Sequence, residues 1–242
     1  MNQNSPSTSE NINDNTKPVL EFIAIKCIIF RFFNASLQVL VERINDDKWR
    51  LPTEKLFQNE DLDDGANRIA AGILDVQDIF LKQFQSYRDF INSHSVNKDN
   101  SNLLYNEEGV SVGYYMLTNK NQNINEHHKK YTWMDFKSSI DSTSDNAISD
   151  ASRQIKIDLN DTPIALHLLA KEFTIPEMMK LYEIILGRTL NRGNFYRKIK
   201  DYNILIDLEK KEIKESHNAA ILYSFDRPAY FSKIKSGFVK AW

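Results

Sequence analysis

The chain has 242 residues, 41% hydrophobic and 26% charged, with a net charge of −2 and a single cysteine. That is the composition of an ordinary globular protein with room for one large or two small domains, and the overall charge does not by itself point to nucleic acid. One thiol excludes an internal disulfide framework; with no apolar run of about 18 residues and no basic, then apolar, N-terminus, a soluble cytoplasmic protein is expected.

In chain order, residues 1–17 are rich in Asn, Ser and Thr and are expected to form a disordered leader. Val19 to Phe33 is almost continuously apolar and β-branched or aromatic, which suits a central strand buried on both faces, with Cys27 acting as a small hydrophobe. After a turn at Asn34-Ala35-Ser36, Leu37 to Glu42 alternates as a neighbouring strand should. Trp49-Arg50-Leu51-Pro52 opens a polar loop, and Leu62, Ala66, Ile69, Ala70 and Ile73 share one face of a helix from Leu62 to Leu74. Ile79 to Tyr87 and Val110 to Leu117 read as strands, and Tyr131 to Met134 as a further one. Between them, the Asn-rich stretch Asn92 to Glu108 is expected to be a long surface loop or insertion, and Asn121 to Lys130 a second polar connection. Ala147, Ile148, Ala151 and Ile155 mark a helix that Ser144 or Asp145 can cap. The first domain, residues 18–160, then ends near Asp158 to Pro163, and Ile164 to Ala170 fits either a helix or a strand.

Residues 161–242 form the second domain. Thr174 and Glu177 have the spacing of a capping box, with Phe173 placed to staple onto Met178. Met178, Leu181, Tyr182 and Ile185 make one apolar stripe, and Gly187 supplies the left-handed residue that ends the helix. Asn191 can cap a second helix that buries Phe195, Ile199 and Tyr202 and turns Gly193, Tyr196, Arg197 and Lys200 outward. Ile204 to Leu208 and Ala219 to Phe225 read as a strand and its return, joined by the polar segment Glu209 to Asn218 with Lys210, Lys211 and Lys214. Two helices and a hairpin make a winged helix. From Thr162 to Trp242 there are 14 Lys plus Arg against 9 Asp plus Glu, a charge of +5, which leaves −7 for the rest. Arg197, Lys198 and Lys200 can neutralise phosphates, Arg188 and Arg192 add charge at the turn, and Asn194 can offer an amide to a base edge. The same charge run would also suit a merely solvated helix face.

The segment from Leu169 to Ile199, followed by the polar wing and Ala219 to Asp226, resembles the C-terminal winged helix of the Nudix-related transcriptional regulators, bacterial repressors and activators of cofactor or sugar metabolism. The phrase N-x-G-N-F-x-R-K at Asn191 to Lys198 is its most specific part. The resemblance implies an α+β protein: a Nudix-like mixed sheet with flanking helices, followed by a winged helix-turn-helix domain. Family members often carry a basic residue where Gly193 stands, so a phosphate contact is lost here or moved to the wing.

That resemblance invites a test of the loop and helix after Trp49 against the Nudix motif, in which helix glutamates hold a divalent metal that polarises a diphosphate. Framed on Leu51-Pro52, Glu60 and Arg68 stand at their proper spacing, Glu54 replaces the motif glycine, and the helix positions Glu, Glu, Glu and Gly are Ile69, Gly72, Ile73 and Asp75. Hydrolysis is therefore not expected, and neither a metal nor a cofactor is implied; the first domain reads as a sensor. Its candidate effector contacts are Trp49, Glu60, Arg68, Arg88, Asp89 and Tyr114. For several of them a structural role competes: a Glu60–Arg68 pair holding the loop is the favoured reading of those two, an Arg88–Asp89 surface pair is equally natural, and Trp49 fits the core. Glu108 stands where members commonly carry Arg before Val-x-Ser-Val, which suits a neutral sugar better than a phosphate-bearing effector. His127-His128 shows no spaced third ligand, and His167 lies among apolar neighbours.

The expected protein is thus a transcription regulator with double-stranded DNA and a sugar or NAD-related metabolite as partners, acting as a homodimer on a two-fold site. The rival readings are a hydrolase with metal ligands displaced to Glu54, Glu60, Asp61, Asp63 or Asp64, and a protein-interaction module.

Overall fold

A computed structural model describes residues 19–74, 79–96, 102–119, 130–143, 145–213 and 219–237. The expected leader at 1–17, the histidines at 127 and 128, Asp75, Ser144 and Lys214 lie outside those residues. The apolar run becomes strand β1, Phe22–Phe33, and a two-residue turn with Asn34 and Ala35 both at positive φ returns it as β2, Ser36–Arg43. Two short strands follow, β3 (Trp49–Arg50) and β4 (Thr53–Lys55), then helix α1 over Leu62–Leu74. Strands β5 (Phe80–Val96), β6 (Asn102–Thr118) and β7 (Tyr131–Asp135) complete a mixed sheet of order β3-β2-β1-β6-β5, with β4 paired to β1 and β7 to β2. β1 lies at its centre, parallel to β6 from Phe22↔Gly109 to Arg31↔Thr118. At Gly109 a Cβ would fall 2.5 Å from the Phe22 carbonyl oxygen, so that end of the ladder needs glycine.

Within the stretch Asn92 to Glu108, residues 92–96 and 102–108 are strand rather than loop. β5 and β6 stay paired out to Val96↔Asn102, forming a two-stranded arm beyond the rest of the sheet. A ladder is made by backbone groups, so pairing does not require an alternating apolar pattern in the sequence. Likewise, the polar stretch from Glu209 begins as strand rather than connection.

Helix α1 covers one face of the sheet, burying Ile69 and Ile73 beside Ile25, Cys27, Ile29 and Tyr114. The other face takes α2 (Phe136–Thr143) and α3 (Asn146–Asp161), the latter capped by Asp145, which accepts from the Ala147 amide. A 3₁₀ turn at Ile164–His167 leads to β8 (Phe173–Thr174), α4 (Ile175–Leu186), α5 (Arg192–Tyr202), β9 (Leu205–Ile213), β10 (Ala219–Phe225) and α6 (Arg227–Ser236). The second sheet has order β8-β10-β9. α6 is capped by Asp226, and its buried Tyr230 donates to the Pro163 carbonyl at 3.1 Å. One continuous apolar cluster runs from Ile28, Val39 and Tyr115 of the first sheet through Ala151 of α3 to Met178 and Phe195 of the winged helix. No helix among the described residues is long and apolar enough to cross a membrane.

Candidate nucleic-acid interface and effector site

The helix-turn-helix is fixed by local chemistry. Thr174 and Glu177 form the reciprocal capping box of α4, and Gly187 at φ 69° ends that helix. The turn is closed by a contact the sequence did not suggest: Glu183 Oε1 accepts from the Leu190 amide at 2.9 Å. Asn191 caps α5 by accepting from the Asn194 amide. Phe195, Ile199 and Tyr202 are buried, with the Phe195 ring edge-on to Tyr182 at 5.3 Å. Burial of that stripe turns Arg192, Gly193, Asn194, Arg197 and Lys200 to solvent, whereas Lys198 is half-buried on the flank.

The Arg197 guanidinium donates to Asn194 Oδ1 at 3.0 Å, so that oxygen is engaged and the Asn194 amide nitrogen is the group left to face a partner. Asp201, four residues after Arg197, puts an opposing charge on the same face. Arg188 is exposed at the turn, and Lys211 falls within β9. Tyr196 is 41% exposed on the flank nearest the wing, with Lys200 Nζ 5.6 Å from its ring centre. Beside it a groove of about 780 Å³ opens between α4, α5 and β10, lined by Ile175, Met179, Arg192, Tyr196 and Tyr223 among others. A convex helix with three exposed cations beside a two-stranded wing can enter a DNA groove and touch phosphates on both sides of it.

The six candidate effector contacts do not converge on one cavity. Glu60, Arg68 and Tyr114 lie on the α1 side of the sheet. Arg68 donates to Glu60 twice, at 2.7 and 3.0 Å, and to Glu54 at 2.9 Å, with its guanidinium 4.0 Å from the Phe57 ring centre. Those bonds from Arg68, with one from the Phe57 amide, hold the Glu60 carboxyl below its usual range. The Tyr114 hydroxyl donates to Asp63 at 2.5 Å; burial, then that bond, raises its pKa. Arg88 pairs not with Asp89 but with Glu108, because successive strand residues point to opposite faces. Asp89 turns to the α3 side, where Lys26, only 8% exposed, bridges it at 3.1 Å to Asp145 at 3.0 Å. Burial alone would raise the Asp89 carboxyl, but the bond from Ser111 and the charge of Lys26 outweigh it and depress the pKa. Trp49 packs against the apolar cluster on that same side, with the Arg43 guanidinium 5.8 Å from its ring centre. His167 stacks on Phe80 at 4.3 Å.

Residues at the Nudix positions do not fit a divalent metal. Ile69 and Ile73 are 2% exposed within the apolar layer, Gly72 offers no ligand, and Glu54 and Glu60 are tied to Arg68. Among the described residues no group of three His, Cys, Asp or Glu is arranged to hold one.

A capped helix-turn-helix with a wing and a cationic outer face, carried on a mixed α/β sheet, is the build of a DNA-binding regulator. More specifically, residues 165–225 match the NrtR DNA-binding winged helix domain. No curated protein sequence matches the chain. Among solved structures it is similar to Shewanella oneidensis NrtR, with TM-score 0.70 and 18% identity over 92% of this chain and 100% of that one. The same protein complexed with a 27mer DNA gives 0.69 and 18% over 91% and 99%. A MutT/nudix family protein from Enterococcus faecalis gives 0.56 and 17% over 92% and 89%. At those identities the likeness establishes the fold alone, a Nudix-like mixed sheet followed by a winged helix.

Proposed function

We propose that this protein is a transcription regulator in which a catalytically silent Nudix-like domain, residues 18–160, senses a small metabolite and a winged helix, residues 161–242, binds DNA. The observation that carries the reading is the exposed row Arg192, Arg197 and Lys200 on a helix whose cap, turn and buried stripe all hold it outward. Arg188, exposed at the turn, extends the same charge, Lys198 and Tyr196 flank it, and Lys211 and Lys214 are added from the sequence alone. An excess of five positive charges is modest, so two copies on a two-fold operator give the contacts that specific binding needs. A homodimer is therefore part of the proposal.

The metabolite is a sugar or an NAD-related compound, and the contacts proposed for it are Glu60, Arg68 and Tyr114 on the α1 side, with Arg88 further along that face; Asp89 and Trp49 lie on the opposite side of the sheet and do not share that site. Cancellation of Arg88 by Glu108 favours a neutral group at that end of the sheet. Silence of the Nudix frame is supported by the arginine clamp on its two carboxylates and by the buried isoleucines. The test is fluorescence anisotropy of the full chain with labelled DNA from upstream of its own operon, across a salt series, with and without sugars and NAD fragments. Specific, salt-dependent binding by two protomers is expected, and binding no tighter than to random DNA would overturn the reading.

A further inference from the structure

The winged helix meets the first domain through a continuous apolar cluster, but beside that cluster the contact leaves a polar gap. A cavity of about 590 Å³ lies between α1, the start of β5, the end of β6, the 3₁₀ turn and α6. That volume suits a small metabolite, and none of the contacts proposed above for the sensed compound lines it. Five polar residues do: Asn67 of α1, Thr118 of β6, Asn119 just beyond it, His167 of the turn and Arg227 of α6. His167 stacks on Phe80 and stands edge-on to Tyr230, with ring centres 4.3 and 6.4 Å apart, so the wall is preformed from both domains.

Around α3, the helix before the junction, cations are neutralised: Lys82 by Asp158 at 2.7 Å, Lys26 by Asp145 at 3.0 Å and Arg153 by Asp150 at 3.0 Å. Arg227 makes no ion pair with any described residue; its guanidinium lies 6.0 Å from the ring centre of Phe231, which lines the same cavity. No Asp or Glu is among the described residues of the wall. Asn67 and Asn119 each donate one amide N–H within the protein, to the Asp63 carbonyl at 3.0 Å and the Leu166 carbonyl at 3.3 Å. Each retains an oxygen and a second N–H. We propose that the cavity binds a small hydroxylated anion, in which Arg227 takes the oxyanion and the two asparagines take the hydroxyls. A guanidinium meets a phosphate or carboxylate through two parallel N–H bonds, and an amide that both donates and accepts matches a hydroxyl that does the same. Such a site is separate from the DNA-binding face and from the α1-side contacts, and binding at it is measurable without either.

The test is isothermal titration calorimetry of the full chain with glucose 6-phosphate, gluconate, glucose and inorganic phosphate. Glucose 6-phosphate or gluconate should bind more tightly than glucose or phosphate, and whichever is tighter identifies the oxyanion. Arg227→Met should weaken that binding at least about 10-fold, the loss expected for charge-assisted bonds. Asn67→Ala should weaken it roughly 2- to 10-fold, as for one neutral hydrogen bond. Arg227 and Asn67 are both exposed, so neither change disturbs the core, and an unchanged thermal midpoint confirms it. Glucose binding as tightly as both anions, no binding of either anion, or wild-type affinity in Arg227→Met or Asn67→Ala overturns the site. Loss in Arg68→Ala with none in Arg227→Met also overturns it, while placing the anion on the α1-side contacts of the function proposed above. Specific DNA binding with no anion bound here leaves that function standing and this site refuted.

Discussion

Replacing Arg197 and Lys200 together by Ala is the most direct perturbation of the proposed interface. Both side chains are exposed on the outer face of α5, whereas Lys198 is half-buried on its flank and is a weaker choice. Arg197 is already oriented by its 3.0 Å bond to Asn194, so little ordering entropy opposes its use. Each cation that meets a phosphate contributes about 0.9 to the slope of log affinity against log salt. Removing two should lower that slope by about 1.8 per half-site, or about 3.6 for a dimer on a two-fold site. Between about 50 and about 200 mM salt the half-site deficit should then shrink by roughly 12-fold. The assay is anisotropy on a specific duplex and a scrambled one of equal length, and both should show the same change in slope. An affinity loss with an unchanged slope would refute the phosphate-contact reasoning, and an unchanged affinity would remove this helix face from the interface.

Three further outcomes follow from the same structure. A Cβ at Gly193 would meet only Asn191 Oδ1, at 3.5 Å, so Gly193→Arg should fit, gain roughly 0.5–1 kcal/mol of helix stability and raise the half-site salt slope by about 0.9; a slope equal to wild type would place that residue off the DNA. Glu183→Ala should cost about 1–2 kcal/mol in urea unfolding by orphaning the Leu190 amide, with Glu183→Gln recovering much of it; equal losses in both would show that the acceptor oxygen is not what matters. Lys26→Met leaves Asp89 and Asp145 without their cation, at a cost near 3 kcal/mol at pH 7. In the wild type the depressed Asp89 pKa contributes stability present above about pH 4 and lost as pH falls below it. In the variant burial prevails and the Asp89 pKa rises, so protonation relieves it and the deficit should narrow on going from pH 7 to about pH 4.5; a deficit of constant size would sink the account.

How much of this was legible in the sequence depended on where the information sits. Capping boxes, helix stripes and the central strand are local patterns, and Thr174, Gly187, Asn191 and the span Leu62–Leu74 are where those patterns put them. The β5–β6 arm was missed because its pairing is made by backbone groups, which the Asn-rich sequence does not reveal. α2 fully buries only Ser139, and its apolar face is just Phe136 and Ile140, a stripe of two that is too short to read, although Asp226 and Pro228 did carry a start signal for α6. Lys26 was hidden as one polar residue within an apolar run; only the fold brings Asp89 and Asp145, 63 and 119 positions away, onto it.

The helix that joins the two halves is bound to the first sheet at three points along its length. Lys26 holds Asp145 at its cap, Tyr87 donates to Asp150 at 3.2 Å, and near its end Tyr115 and Lys82 meet Asp158 at 2.6 and 2.7 Å. From there the apolar cluster continues without a break through the 3₁₀ turn into α4. A free hinge between sheet and winged helix would have to open that cluster and expose buried side chains at roughly 1.5–3 kcal/mol each. A metabolite can shift an equilibrium only by its difference in affinity for the two states, commonly a few kcal/mol. Opening the core is therefore beyond its reach, and a sensing domain of this build would act on DNA by moving sheet, α3 and winged helix as one body, changing the spacing between two copies of the chain rather than the angle within one.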